Sequence, residues 1–358
     1  VSLQSAFSSP WSQPTPYWIV IAGTSASGAG WQNAVQAAGL QPCPGLADCF
    51  AIQTSPEWVG EWERILGVLH TDTGHNQLKA ALIAADTQPE AKEISLALKP
   101  MHVIQEVVQQ LWLLEHLSSD KLSCCLQRVV DRRSKQVGYE AFARITLDDG
   151  TVIGGGAIMK ASHALRIEYQ VDRKLHKQAI DAFAACDLEG FLFINFLTGF
   201  IHRPEVYLEG LSQAVDRHHL MPRNIALDVP LSDYARDISK LRSIADYCRQ
   251  RGFSLSLDDI YGTEGLGALL ADIRPAFVKL DARLNAYLQD TARAGVVREI
   301  IRLAHGAGAT VLAEGVENEA QFTAYMEEGV DMFQGYHFGA PEIYPPKQGA
   351  KPAAKPKK

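Results

Sequence analysis

Seven times after Leu122 the chain repeats one pattern: an apolar, β-rich run ends in a polar or charged residue, and a helical segment follows. The runs are "VGYE", "FLFIN", "NIALD", "FSLSLDD", "AFVKLD", "TVLAE" and "DMFQ". Strands alternating with helices restrict the fold to a (β/α) barrel or a doubly wound sheet, because each crossover helix must cover the sheet it connects. "LSCCLQRVVD" and "VGYEAFARI", joined by the short turn "RRSKQ", read instead as an antiparallel hairpin, and its first strand brings the count to eight.

In a barrel the parallel strands direct their C-terminal ends to one face, where such folds keep their active sites. Glu140, Asn195, Asp228, Asp258, Asp259, Lys279, Glu314 and Gln334 then converge on one mouth although they lie far apart in sequence. The adjacent aspartates are the sharpest feature, since two carboxylates that close repel one another unless a cation or a shared proton sits between them. Glu140, Asp228, Asp258, Asp259 and Glu314, with the side-chain oxygen of Asn195, form a hard all-oxygen ligand set suited to Mg²⁺ or Mn²⁺ and not to a thiophilic metal. A bridging aspartate can serve two ions about 3.5–4 Å apart, the geometry for in-line attack on a phosphodiester. Lys279, at the end of a buried strand, is placed to orient the attacking water. A different chemistry on the same fold is an enolase-like barrel, with Lys279 as the base beside one Mg²⁺; the paired aspartates fit it badly. His202, His218, His219 and His337 read as structural.

The first hundred residues have another texture. "YWIVIAG", "CFAIQTS" and "LKAALIAAD" read as strands and "GWQNAVQAAGL" and "EWVGEWERILGVL" as helices, a small α/β sensor-like or regulatory domain over residues 1–100. The first strand ends in "IAG" where a phospho-accepting receiver domain needs acidic residues, so Asp86 is not read as a phosphorylation site. "MHVIQEVVQQLWLLEHL" places Ile104, Val107, Val108, Leu111, Leu114 and Leu117 on one helical stripe, a linker helix over 101–120 that can pack on its own domain or form a dimer seam. The barrel follows over 121–345, and the Lys-, Pro- and Ala-rich end, 346–358, has the composition of a disordered basic tail.

A net charge of −7 offers no bulk attraction to a nucleic acid polymer. Six cysteines without a CxxC pair or regular spacing, no signal-peptide pattern and no membrane-spanning run point to the cytoplasm.

From roughly residue 105 to 345 the chain resembles the EAL family of cyclic di-GMP phosphodiesterases. The segments that carry the likeness are "QVGYEAFAR", "FLFIN", "SLSLDDIYGTEG", "FVKLD", "TVLAEGVENEAQ" and "FQGYHFGAP", in order. The resemblance implies a TIM-like (β/α)8 barrel with an antiparallel first strand. It implies two metal ions, one held by Glu140, Asn195, Asp228 and Asp258, the other by Asp258, Asp259 and Glu314. Lys279, Glu314 and Asp259 become the catalytic group, with Lys279 positioning the water. Gln127, Phe142, Arg144 and Gln334 become substrate-binding, Arg144 at a phosphate. The product is linear pGpG, and two copies pair through the barrel rim near the loop after Asp259.

Five positions depart from the family pattern. Phe142 replaces the eponymous leucine, Arg128 a proline, and Asp228 a glutamate, which leaves its carboxylate roughly 1.5 Å short. Leu231 replaces a second glutamate that steadies the mobile loop, and Tyr261 a glycine within that loop. Two functions are compatible with this pattern: hydrolysis of cyclic di-GMP, weak or gated by the N-terminal domain, and a catalytically degenerate receptor for the same nucleotide.

Overall fold

The computed structural model describes residues 16–23, 28–54, 59–69, 78–119, 121–196, 204–234, 238–288, 290 and 293–344. The tail expected over 346–358 lies outside them. The chain divides into two compact units, one running through Ser119 together with Met159–Glu168, the other comprising Asp120–Ile158 and the chain from Tyr169. No helix among the described residues is long and apolar enough to cross a membrane.

The first unit is built on a five-stranded sheet with every pairing antiparallel. Its strands are β1 (Tyr17–Ala22), β2 (Gln41–Pro42), β3 (Cys49–Thr54), β4 (Lys79–Ala84) and β5 (Lys99–Pro100), in the order β2-β3-β1-β4-β5. The central strand β1, "YWIVIA", is apolar on both faces because both faces are covered. Tyr17, Ile19 and Ile21 pack with Val35 of α1 (Gly28–Ala37) and with Trp62 and Ile65 of α2 (Val59–Leu69). On the opposite face Val20 and Ala22 pack with Ile94 of α3 (Ala91–Ala97). The antiparallel pairing separates this unit from the parallel sheet of a receiver domain.

The stripe read as one helix is two, α4 (Met101–Gln110) and α5 (Trp112–Ser118), divided at Leu111. Met101, Ile104 and Val107 are buried in the core of the first unit, with Val108 and Leu111 against them.

The second unit is the barrel. Its strands are β6 (Leu122–Asp131), β7 (Gln136–Thr146), β8 (Val152–Gly154), β9 (Phe191–Asn195), β10 (Ile225–Pro230), β11 (Ser254–Ile260), β12 (Phe277–Leu280), β13 (Thr310–Ala313) and β14 (Met332–Phe333). The order is β6-β14-β13-β12-β11-β10-β9-β7-β8, and a β6–β7 pairing closes the ring. β6 runs antiparallel to β7 and β14, whereas the pairs from β7 through β9 to β14 are parallel. Eight strands therefore form a TIM-like barrel with an antiparallel first strand, and β8 adds a short antiparallel strand beside β7.

Side chains two apart on a strand share a face, so the register shows what fills the barrel. Phe193, Ala226, Phe277 and Leu312 form a buried interior cluster with Val129 of β6. Two residues further along the same faces stand Asn195, Asp228, Lys279 and Glu314, while Gln127 precedes Val129 on the reversed strand β6. The apolar plug, with the Phe193 and Phe277 rings edge to face at 5.0 Å, is the floor of a polar layer. Outside, helix Ala294–Gly306 turns Val297, Ile300, Ile301 and Ala304 to the strands at helical spacing.

Strands β7 and β9 approach so closely at their start that glycine is required. A Cβ on Gly190, whose φ is +97°, would lie 2.1 Å from the Val137 carbonyl oxygen. Gly190→Ala should lower the unfolding free energy by more than about 1 kcal/mol in chemical denaturation. Gly156→Ala, where a Cβ meets nothing within 4 Å, should change it by less than about 1 kcal/mol in either direction.

Candidate metal and catalytic site

Lys279 is the centre of the polar layer. Its side chain has no solvent exposure, and its Nζ lies 2.6 Å from Glu314 Oε1, 3.1 Å from Asp228 Oδ2, 3.2 Å from Glu140 Oε2 and 3.4 Å from Asp258 Oδ2. These carboxylates come from β7, β10, β11 and the residue after β13. Asn195, beside Asp228 in the β9–β10 register, donates from Nδ2 to Glu140 Oε1 at 3.0 Å.

The aspartate pair solves a geometric problem. Successive residues of a strand face opposite sides, so Asp258 and Asp259 could not both reach the mouth from a regular strand. The β11–β12 register shifts between Leu257 and Ile260, and Asp259 adopts φ +58°. This bulge re-aims the second carboxylate. Asp258 Oδ1 accepts the Asp259 backbone N–H at 2.8 Å, which fixes the turn. Oxygens of Asp258, Asp259 and Glu314 consequently lie within 4.8 Å of one another, an arrangement able to hold a cation.

The electrostatics are unbalanced. Five carboxylates (Glu140, Asp228, Asp258, Asp259 and Glu314) against one ammonium leave four excess negative charges when all are ionised, five minus one. Burial opposes the charge on Lys279, but Asp228, Asp258, Glu140 and Glu314 hold its pKa well above the ordinary value. Burial, reinforced by Asp258 and Glu140, pushes Asp228 up to about 7 against the pull of Lys279. Glu314 is raised well above the carboxylate range by desolvation, with Asp258 and Glu140 adding to it, and Asp259 is raised by desolvation and by Asp258. A hard divalent cation relieves this load better than protons do. Asp228 Oδ1, Ser256 Oγ and Gln334 Nε2 are buried with no hydrogen-bond partner among the described residues, the first two on residues that stand opposite each other in the β10–β11 register.

The substrate-binding candidates stand on β6, on β7 and directly after β14. Gln127 is opposite Glu140 in the β6–β7 register and donates from Nε2 to the Gly339 carbonyl at 2.9 Å. Phe142 and Arg144 share the Glu140 face of β7, two and four residues further on. Arg144 donates to the Ala143 carbonyl at 2.7 Å, and its guanidinium lies 5.8 Å from the centre of the Phe142 ring. The ion pairs of Lys279 include neither residue. Gln334 follows β14 and is held by its backbone N–H on the Ala313 carbonyl at 2.9 Å.

The departing positions acquire contacts of their own. The Tyr261 hydroxyl is hydrogen-bonded to that of Tyr287, and the Arg283 guanidinium lies 4.3 Å from the centre of the Tyr261 ring while pairing with Asp281. Leu231 packs, partly buried, against the barrel core. Arg128 donates to the Phe338 carbonyl at 2.8 Å. His218 pairs with Asp181 at 2.7 Å and His337 with Glu319 at 3.1 Å; His202 lies outside the described residues.

Three supporting residues went unremarked in the sequence. Ser256 is fully buried beside Asp228, and the Ser254, Ser256, Asp258 alternation was its signal. Asn285 donates to the Gly315 carbonyl at 2.7 Å and accepts from the Tyr325 hydroxyl at 2.7 Å, bracing the chain next to Glu314. His176 reaches the Asn195 carbonyl at 3.1 Å. Neither Asn285 nor His176 carries a local motif.

The EAL domain family model matches residues 110–341, more than half of the chain. The chain belongs to the EAL domain family. Its EAL domain is 25% identical over 210 residues to the EAL-domain protein YkuI of Bacillus subtilis, a match covering 58% of this chain and 51% of that one. It is 30% identical over 136 residues to the bifunctional diguanylate cyclase/cyclic di-GMP phosphodiesterase MucR of Pseudomonas aeruginosa, covering 37% of this chain and 20% of MucR. The chain thus spans about half or less of the length of these relatives. Among solved structures, a standalone EAL protein from Vibrio cholerae bound to c-di-GMP superposes with a TM-score of 0.55 at 26% identity, covering 62% of this chain and 93% of that one.

The raised carboxylates give the metal-free EAL domain a definite pH response. The Asp228 pKa moves from 3.8 to about 7 on folding, so between those values the folded state binds the extra proton and stability falls as pH rises. In EDTA, the melting temperature should decline from about pH 4 to about pH 7, and Asp228→Asn should flatten the decline. Added Mn²⁺ should raise the melting temperature more at the upper end of that window than at the lower.

Proposed function

We propose that the chain is a Mg²⁺- or Mn²⁺-dependent phosphodiesterase that opens cyclic di-GMP to linear pGpG. The observation that carries this reading is the convergence of Asp258, Asp259 and Glu314 within 4.8 Å of one another, beside an ammonium 2.6 Å from Glu314. The cyclic di-GMP bound to the Vibrio cholerae relative and the activity named for MucR support the choice of substrate.

Glu140, Asn195, Asp228 and Asp258 would hold one ion, and Asp258, Asp259 and Glu314 the other. When bound, the two ions supply Lewis-acid neutralisation of charge on the phosphodiester. The residues do the rest. Lys279, kept charged by its four carboxylate neighbours, orients the water in line with the scissile P–O bond. Arg144 offers a planar fork for a non-bridging phosphate oxygen. Gln334 has an amide N–H free for a ligand acceptor, and Phe142 an apolar wall for a guanine. Hydrolysis breaks one ester bond, leaving a 5′-phosphate on one nucleoside and a 3′-hydroxyl on the other. In the same reading the N-terminal antiparallel unit regulates the barrel, and two copies pair near the loop after Asp259.

The second reading is a receptor that binds the nucleotide without cleaving it, favoured by Leu231 and by the Tyr261–Tyr287 bond, which alter the loop after the aspartates.

Purified chain with Mn²⁺ should convert cyclic di-GMP to pGpG by chromatography. Asp259→Asn should lower turnover about a hundredfold or more while calorimetry still detects nucleotide binding. Intact nucleotide after hours, with tight binding in EDTA, would select the receptor. Asp228→Glu combined with Leu231→Glu should then raise turnover if those two positions limit it.

A further inference from the structure

Cys43 and Cys49 face each other at the end of the β2–β3 ladder. The register Gln41↔Ala51 and Pro42↔Phe50 sets them opposite, and the Cys43 N–H donates to the Cys49 carbonyl at 2.8 Å. Directly opposed residues present their side chains on one face of a sheet, and both thiols enter the same buried cluster as Val20, Ala51 and Ala81. A hydrogen-bonded antiparallel pair has its Cα atoms about 5.5 Å apart. That separation falls within the roughly 4.4–6.8 Å that a disulfide spans. The pair is reduced here, and it lies one residue beneath the turn 44–48, where Pro44, Gly45, Ala47 and Asp48 are exposed.

We propose that Cys43 and Cys49 are a redox-active dithiol that closes to an intramolecular disulfide by exchange with a small-molecule disulfide such as oxidised glutathione. The Cys43 thiolate attacks one glutathione sulfur, forming a mixed disulfide and releasing one reduced glutathione. The Cys49 thiolate then attacks the Cys43 sulfur, and the second reduced glutathione leaves. Two protons and two electrons pass in all from the protein dithiol to the glutathione disulfide.

The two thiols are prepared for different roles. A hydrogen bond from the Cys49 thiol holds Cys43 below the ordinary thiol range against the effect of burial, while Cys49, as donor, is raised. Cys43 is therefore the attacking sulfur and Cys49 the resolving one. No other two cysteines stand opposite each other in a strand register among the described residues. Cys124 and Cys125 are adjacent on β6 and so point to opposite faces. Burial pushes both Cys124 and Cys248 up to about 12.

The test treats the full chain with oxidised glutathione, traps the remaining thiols by alkylation and maps the peptides by mass spectrometry. A cross-link between Cys43 and Cys49 should form before any other, lighter by two hydrogens, with alkylatable thiols falling from six to four and recovering in dithiothreitol. Cys49→Ser should stop at a glutathione adduct on Cys43, and Cys43→Ser should leave Cys49 unmodified. Both thiols remaining alkylatable in the wild-type chain, or a different cysteine reacting first, would overturn the proposal. Mapping the wild-type chain decides the question even where a serine variant fails to fold.

Discussion

A charged lysine inside a protein is tolerated only when its surroundings return what water supplied, and Lys279 receives that from four carboxylates on four separate segments. The dependence runs both ways. Without the ammonium, those carboxylates would crowd one another in a desolvated layer. With it, they still carry an excess of negative charge, and that excess defines the chemistry the mouth can accept. The ring of carboxylates and the buried amine are thus one construction, positioned by the closure of the barrel.

Closure in turn depends on how the strands are loaded. On β9, β10, β12 and β13 the inward face places an apolar side chain low and a polar one two residues higher, so the aromatic plug around Phe193 and Phe277 supports the charged layer from below. The reversed strand β6 obeys the same rule in the opposite direction, with Val129 in the plug and Gln127 above it. Its antiparallel entry also closes the ring of eight strands. Direction of travel matters less than which side chain arrives at which height.

The barrel was legible because its signal is periodic and repeated: seven apolar runs, each ending in a polar residue, can close in few ways. The residues of the cluster were legible for the same reason. The bulge was not. Nothing in "SLSLDDIYG" requires Asp259 to take φ +58°, and without that turn the second aspartate would face away. Supporting contacts such as Asn285 to Gly315 and His176 to Asn195 depend on tertiary proximity alone, which no local spacing encodes. In the first unit the three long strands were readable, but the two-residue strands β2 and β5 and the antiparallel pairing were not, since pairing direction is a property of connections and not of composition. The division at Leu111 escaped for a related reason. The apolar stripe continues through it, and only the termini of α4 and α5 record the break.

The bracket of Tyr261, Tyr287 and Arg283 has a thermodynamic side. A loop already fastened to the segment that follows the lysine strand has surrendered much of its freedom before any ligand comes near. Capture then demands little further ordering, which favours retention. By the same token such a loop has little slack left to pass a message outward, since a part that barely moves on occupancy reports occupancy faintly.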